Sequence, residues 1–151
     1  MKQSGMTLIV KNVTRLVAGF VAVFGLFVAL TGHLGPGGGF AGGVILASAA
    51  VLVVLAFGSR FSKKLITEGK CHVWDGLGAM GFIAVAMLSY LGFWGGEFFF
   101  NFISKGEVHE FASAGTIPLS NLAIGVKVAA GLAGAFIALA AFRRGRSSQE
   151  T

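Results

Sequence analysis

The sequence predicts an all-α integral membrane protein with four transmembrane helices and both termini in the cytoplasm. Of the 151 residues, 55% are hydrophobic and only 12% are charged, whereas soluble domains carry about 25% charged residues. The apolar residues are grouped in four long stretches, and about 20 residues are enough to cross the hydrocarbon core of a bilayer. These stretches use most of the chain, so we expect a single membrane domain over 1–151 and no separate soluble domain.

Four spans are predicted in chain order. They cover about 8–31, 40–57, 73–94 and 118–142. The first is apolar without interruption from Leu16 to Leu30, which is long for a cleaved signal peptide, the alternative at this position. The fourth begins with Thr116 as a possible cap and Pro118 in the first turn, where a missing amide hydrogen costs nothing.

The basic residues predict the orientation of the spans. Ten of the twelve Lys and Arg fall before span one, at its start, between spans two and three, or after span four. With four spans, these regions share one side of the membrane, and an excess of basic residues marks the cytoplasmic side. The net charge of +6 therefore reflects topology, and we expect no nucleic-acid partner.

Small residues at spacing four predict close helix packing. Gly39, Gly43 and Ala47 form such a stripe in span two, and span four has another at 125, 129 and 133. These stripes let the backbones of two helices approach each other closely. Such close packing drives helix association in a bilayer, where the hydrophobic effect does not, because the lipid tails are as apolar as the helices. They favour a subunit packed among others, although the ordinary Ala and Gly content of membrane helices is an alternative explanation.

The predicted outer connection, 95–117, is rich in aromatic and acidic residues. Aromatic rings favour the membrane interface, so we expect a loop or short helix that lies there. A binding surface for membrane lipid or a partner subunit is the alternative. Its Glu107, His109 and Glu110, like the adjacent Cys71 and His72 elsewhere, lack an established metal-ligand spacing, and no metal site is predicted.

Lys127 is the ionisable residue that lies deepest in a predicted span. It follows Pro118 by nine residues, which places its Cα roughly 13 Å from the outer boundary at 1.5 Å per residue. An isolated charge near the bilayer centre costs at least about 2.5–3.5 kcal/mol. Two interpretations stay open: a structural lysine that snorkels outward or forms an ion pair, and a residue of a proton or cation path.

Asp75 and His33 are weaker candidates for the ion path. Asp75 opens predicted span three, where an acid in the first turn of a helix is also favoured by the helix dipole. His33 lies near the outer end of span one, where an interfacial role is the alternative. The sequence contains no nucleophile–base pair, paired buried carboxylates or cofactor-binding motif, so no catalytic or cofactor-binding residue is predicted.

A glycine-rich hairpin joins spans one and two. Its residues are Gly32, His33, Leu34, Gly35, Pro36, Gly37, Gly38, Gly39, Phe40, Ala41, Gly42 and Gly43. A phosphate-binding loop would need a preceding strand and a terminal Lys-Ser/Thr pair, and neither is present. We expect the glycines to serve the reversal of the chain within about eight residues, because Gly adopts positive φ without steric cost.

This hairpin, between the first two of four spans, resembles the MnhB domain, which is the MnhB (or MrpB) component of multi-subunit Mrp-type sodium/proton antiporters. The family pattern is Gly-His-x-x-Pro-Gly-Gly-Gly-Phe-x-Gly-Gly, matched here by Gly32, His33, Pro36, Gly37, Gly38, Gly39, Phe40, Gly42 and Gly43. Ile124-Gly125-Val126 in span four is similar to a second family motif. The resemblance covers nearly the whole chain.

The resemblance implies a small multi-pass subunit in a prokaryotic cell membrane. Its partners would be other antiporter subunits or the hydrogenase-like subunits of a respiratory complex, which hold the redox cofactors. Na⁺ and H⁺ would be the transported ions, with no cofactor on this chain.

One position departs from the family. Antiporter members commonly have an acid where this chain has Ala123. The loss weakens the transfer of ion-path residues from the antiporters and favours a respiratory complex, with Asn121 and Lys127 paired to a neighbouring subunit. A self-sufficient homodimeric transporter and a pure scaffold are the alternatives, and the sequence does not decide whether this chain lines the ion path.

Overall fold

The computed structural model describes residues 6–58, 67–90, 103 and 114–147. This part of the chain forms four helices: α1 (Leu8–Thr31), α2 (Gly39–Phe57), α3 (Glu68–Tyr90) and α4 (Ile117–Ser147). Each contains a window long and apolar enough to cross a membrane. The predicted class, a multi-pass α-helical membrane protein with four spans, is confirmed, while the cytoplasmic position of both termini stays a prediction. Most of the predicted outer connection lies outside the described residues.

The helices pack as a row in the order α1, α2, α4, α3. Helix α4 lies between α2 and α3, and α1 packs mainly on α2 with a light contact to α4. In such a row each helix has few neighbours, and only 17–33% of the residues in each spanning window are buried. The remaining apolar surface is suited to lipid or to other membrane proteins.

A small apolar core joins the three helices α2, α3 and α4. It consists of the buried residues Val54, Cys71, Ala133 and Ile137, with Ala50 and Phe136 packed against it. At the matching end of α1, the Arg15 guanidinium lies over the Phe57 ring at 5.7 Å. A cation over an aromatic face is an attractive contact, so it ties α1 to the last residue of α2.

The glycine-rich hairpin serves both chain reversal and helix packing. Gly38 has a φ of 144°, which favours glycine, and it is the one residue of the hairpin with positive φ. The motif then continues as the first turns of α2. A Cβ built at Gly42 would lie 2.6 Å from the Cβ of Ala29 in α1. The expectation that the hairpin glycines serve the turn is thus right for Gly38 and wrong for Gly42.

Gly39 and Gly43 form the contact between α2 and α4, as their place in a stripe of small residues at spacing four predicts. A Cβ at Gly39 would overlap the backbone carbonyl of Asn121. At Gly43 it would lie 2.7 Å from the carbonyl oxygen of Gly125 and 2.8 Å from the Cβ of Val128. The two helices therefore meet backbone to backbone, as small residues permit within membranes.

Helix α3 begins earlier than predicted. Its first residue is Glu68, five residues before the expected start at Val73. Asp75 is consequently seven residues into the helix, roughly 10 Å along its axis at 1.5 Å per residue. The first-turn interpretation of Asp75 is wrong, since the helix-dipole effect fades beyond the first turn. Its carboxylate needs another explanation.

Candidate functional site: a charge pair between two spanning helices

Asp75 and Lys127 form an ion pair between α3 and α4. The Nζ of Lys127 donates a hydrogen bond to Oδ1 of Asp75 at 2.8 Å. Both residues fall inside windows that qualify as membrane spans, Gly69–Leu88 and Ile117–Ala140. Two opposite charges that would each be costly alone in hydrocarbon therefore compensate each other.

Glycines bring the two helices close enough for this contact. A Cβ built at Gly78 would lie 2.7 Å from the backbone nitrogen of Lys127 and 2.8 Å from the backbone oxygen of Ala123. Two turns earlier in α3, Cys71 packs on Gly134, where an added Cβ would meet its Cβ at 3.0 Å. We call the contact surface of α3 and α4 the α3–α4 seam. Gly78 of α3 lies in it beside Lys127, and Gly134 of α4 lies in it beside Cys71.

The position of Asp75 beside Gly131 shows the direction in which the Lys127 side chain extends. The carboxylate of Asp75 lies beside Gly131, at 3.4 Å from the position of an added Cβ. Since Lys127 bonds this carboxylate, its ammonium reaches one turn toward the C-terminus of α4. The side chain therefore does not extend toward the N-terminal end of α4, the direction expected for snorkelling, and the ion-paired alternative describes the structure.

The charge pair is only partly covered by its own chain. The Lys127 side chain is 47% exposed and that of Asp75 is 36% exposed. An ammonium offers three N–H groups and a carboxylate two acceptor oxygens, and the bond between them uses one of each. The pair therefore retains hydrogen-bonding capacity toward whatever covers this face.

The structure brings together two of the three predicted ion-path residues. His33 lies half-buried in the turn between α1 and α2, and the ion pair does not include it. Within the chain Lys127 pairs with Asp75, and its expected pairing with a neighbouring subunit stays a prediction. Asn121, the other residue expected to pair outward, contributes its backbone to the contact with Gly39.

Two apolar clefts flank α4, and neither is lined by the charge pair. One, of about 410 Å³, lies between α3 and the first half of α4, with Leu77, Gly81 and Leu122 among its walls. The other, of about 300 Å³, is lined by residues of α2, α3 and α4, with Leu46 and Lys70 among its walls. Within the ranges 6–58, 67–90 and 114–147, no three His, Cys, Asp or Glu residues form a group able to hold a metal ion.

A family model spans most of the chain. Residues 9–134 match a domain described as related to the MnhB subunit of Na⁺/H⁺ antiporter. The matched range contains the hairpin, both members of the charge pair and the glycines of the α3–α4 seam.

Individual relatives come from archaea and bacteria. The uncharacterized protein MJ1307 of Methanocaldococcus jannaschii is 35% identical over 136 residues, which are 83% of this chain and 49% of that protein. A Na⁺/H⁺ antiporter subunit of Bacillus subtilis is 37% identical over 66 residues, 44% of this chain and 46% of that one. The chain thus spans about half the length of these curated relatives.

A solved structure shares the fold. A chain in the structure of the membrane-bound sulfane sulfur reductase, an archaeal respiratory membrane complex, superposes with a TM-score of 0.70 at 30% sequence identity. The match covers 88% of this chain and 60% of that one.

Proposed function

The chain belongs to the MnhB family, and on this premise we propose that it is a non-catalytic integral subunit of an Mrp-type antiporter module. In this role it supports assembly of the module and the exchange of Na⁺ for H⁺. The observation that carries the proposal is the family match over 9–134, which covers the first three spans and most of the fourth. Related antiporter subunits in Bacillus and Staphylococcus support the same role.

We place the module within an energy-converting respiratory complex. The likeness to a chain of the sulfane sulfur reductase structure covers 88% of this chain. The likeness to the Bacillus subtilis antiporter subunit covers 44%. Ala123, at the position where antiporter members commonly carry an acid, favours the same choice. The partners are then other membrane subunits, and redox cofactors belong to those subunits while this chain binds none.

Within this function, Asp75 and Lys127 are the residues that take part in ion movement. The carboxylate of Asp75 is the group that a passing cation meets, and the Lys127 ammonium occupies it otherwise. The support is geometric: the two charges lie inside the spans, at 2.8 Å, and both remain partly exposed. His33 lies apart from this pair, in the turn between α1 and α2.

The test is replacement of Lys127 by Met in the intact complex. Sodium transport into inverted membrane vesicles is expected to fall about tenfold or more, because one member of the pair is lost while the complex is retained. Lys127→Arg keeps the charge and Lys70→Met removes a lysine elsewhere, so both serve as controls. Unchanged transport with unchanged assembly removes Lys127 from the mechanism.

Two other functions are separated by reconstitution. A self-sufficient homodimeric transporter would move Na⁺ in proteoliposomes that contain this chain alone, whereas a subunit would be silent there and co-purify with membrane partners. A pure scaffold would tolerate the double variant Asp75→Asn/Lys127→Met without any change in transport by the assembled complex.

A further inference from the structure

We infer that the face of α3 and α4 bearing the charge pair is covered by a transmembrane helix of another subunit, which presents an oxygen-bearing side chain to Lys127. We call this surface the paired-charge face, made of Asp75, Lys127, Gly131 and Ala135. The inference rests on one part of the proposed function, namely that the chain is a subunit of a membrane complex.

Lipid is a poor occupant of the paired-charge face. Nearly half of the Lys127 side chain is exposed on the isolated chain, although the residue lies well inside a spanning helix. Acyl chains accept no hydrogen bonds, so the N–H groups that Lys127 does not donate to Asp75 would lose their partners there. An unsatisfied polar group in hydrocarbon costs several kcal/mol, in order of magnitude.

The shape of the face suits a helix. Lys127, Gly131 and Ala135 follow at spacing four on α4, and all three are exposed. The two small residues next to the charge let a second backbone approach, as in other helix contacts within membranes. An occupant at this distance can place a carboxylate, hydroxyl or amide oxygen against the ammonium.

The chemistry of the pair specifies the partner further. Within the chain the two charges cancel, so a neutral oxygen is sufficient and a further carboxylate is tolerated because Lys127 has donors to spare. A second lysine or arginine at the contact would repel Lys127. The large apolar cleft on the other side of the α3–α4 seam, with Trp74 and Leu77 in its walls, has no such requirement and is suited to lipid.

A photo-cross-linking residue at Ala135, in the intact complex, tests the inference. Illumination and mass spectrometry are expected to identify an adduct with one other membrane subunit. Adding Lys127→Met is expected to lower the adduct yield about tenfold, the factor that corresponds to about 1.4 kcal/mol of contact free energy. Lys70→Met, on the same chain but off this face, is expected to leave the yield unchanged.

Two results would overturn the inference. An adduct with lipid alone, or none, places the face in the bilayer. Rapid labelling of Ala135→Cys by a hydrophilic maleimide, above the background from the buried Cys71, shows that Ala135 faces water and is not covered by a helix. An adduct with another subunit, found in a complex that does not exchange Na⁺ for H⁺, would support the inference and contradict the proposed function. Na⁺/H⁺ exchange without such an adduct would support the proposed function and contradict the inference.

Discussion

The two halves of the molecule pack with the same kind of residue and differ in what that packing achieves. Where α2 meets α1 and α4, Gly39, Gly42 and Gly43 bring backbones together around apolar neighbours. Where α3 meets α4, Gly78 does the same but brings Asp75 and Lys127 into contact. Close packing therefore serves only to join the helices where α2 meets α1 and α4. Where α3 meets α4, it also positions two charges. The most recognisable motif of the sequence belongs to the region without the charges.

The largest effect is expected from separating the charges. Asp75→Leu leaves Lys127 without its counter-charge inside a span, and we expect a loss of about 3 kcal/mol in stability, the cost of one lysine near the bilayer centre. The double variant Asp75→Leu/Lys127→Met removes both charges and is expected to recover most of the loss. Thermal unfolding of the purified complex, for wild type, both single variants and the double variant, measures the coupling. Strictly additive losses would show that the pair does not act as a unit.

The second-largest loss of stability is expected from placing a side chain in the contact between α2 and α4. Gly43→Val forces a side chain against Gly125 and Val128, and overpacking of this kind costs roughly 1–3 kcal/mol. Gly19→Val is the matched control, because a Cβ at Gly19 has no neighbour within 4 Å. The yield of assembled complex after detergent extraction measures the difference. Equal yields for the two variants would contradict the close contact at Gly43.

A smaller effect is expected from a single methyl group at the α3–α4 seam. Gly78→Ala places it 2.7 Å from the backbone nitrogen of Lys127, so the helices must separate slightly, at a cost of about 1 kcal/mol, the low end for overpacking. Gly76→Ala, two residues away in open space, is expected to be neutral or slightly stabilising because Ala favours helix. Thermal unfolding of the two variant complexes measures the difference.

The functional readout sharpens the comparison between the two regions. Gly78→Ala is expected to lower sodium transport by a larger factor than it lowers assembly, since it displaces Lys127. Gly43→Val is expected to lower transport and assembly in parallel. Transport and assembly that fall equally in both variants would show that the α3–α4 seam has no role beyond packing.

The sequence was sufficient for the four spans because each is marked by length and composition alone. It was less informative about α3, whose mean hydropathy over its best window is 1.5, against 2.1–2.5 for the other helices. The polar residues at its beginning led to a predicted start at Val73 instead of Glu68. Because of that error, Asp75 was predicted at the edge of the membrane, and its pairing with Lys127 was not predicted.

A simple pattern in the sequence does point to the charge pair. Asp75 and Lys127 carry opposite charges and lie in two consecutive spans. Consecutive spans cross the membrane in opposite directions and often pack side by side. What the sequence could not supply is which face each charge occupies, because small residues lie on several faces of α4. Gly42 was assigned to the turn and not to helix packing for a related reason: glycine is favoured by turns and by close packing alike, and only the neighbours distinguish the two.

The position of α3 in the row has a consequence for biosynthesis. Among the described elements its extensive contacts are with α4 alone, yet α4 follows it in the chain and leaves the ribosome later. Asp75 is therefore expected to reach the membrane before Lys127, on the least hydrophobic of the four helices. We expect stable integration of α3 to be completed when α4 arrives, because Lys127 then supplies the counter-charge of Asp75.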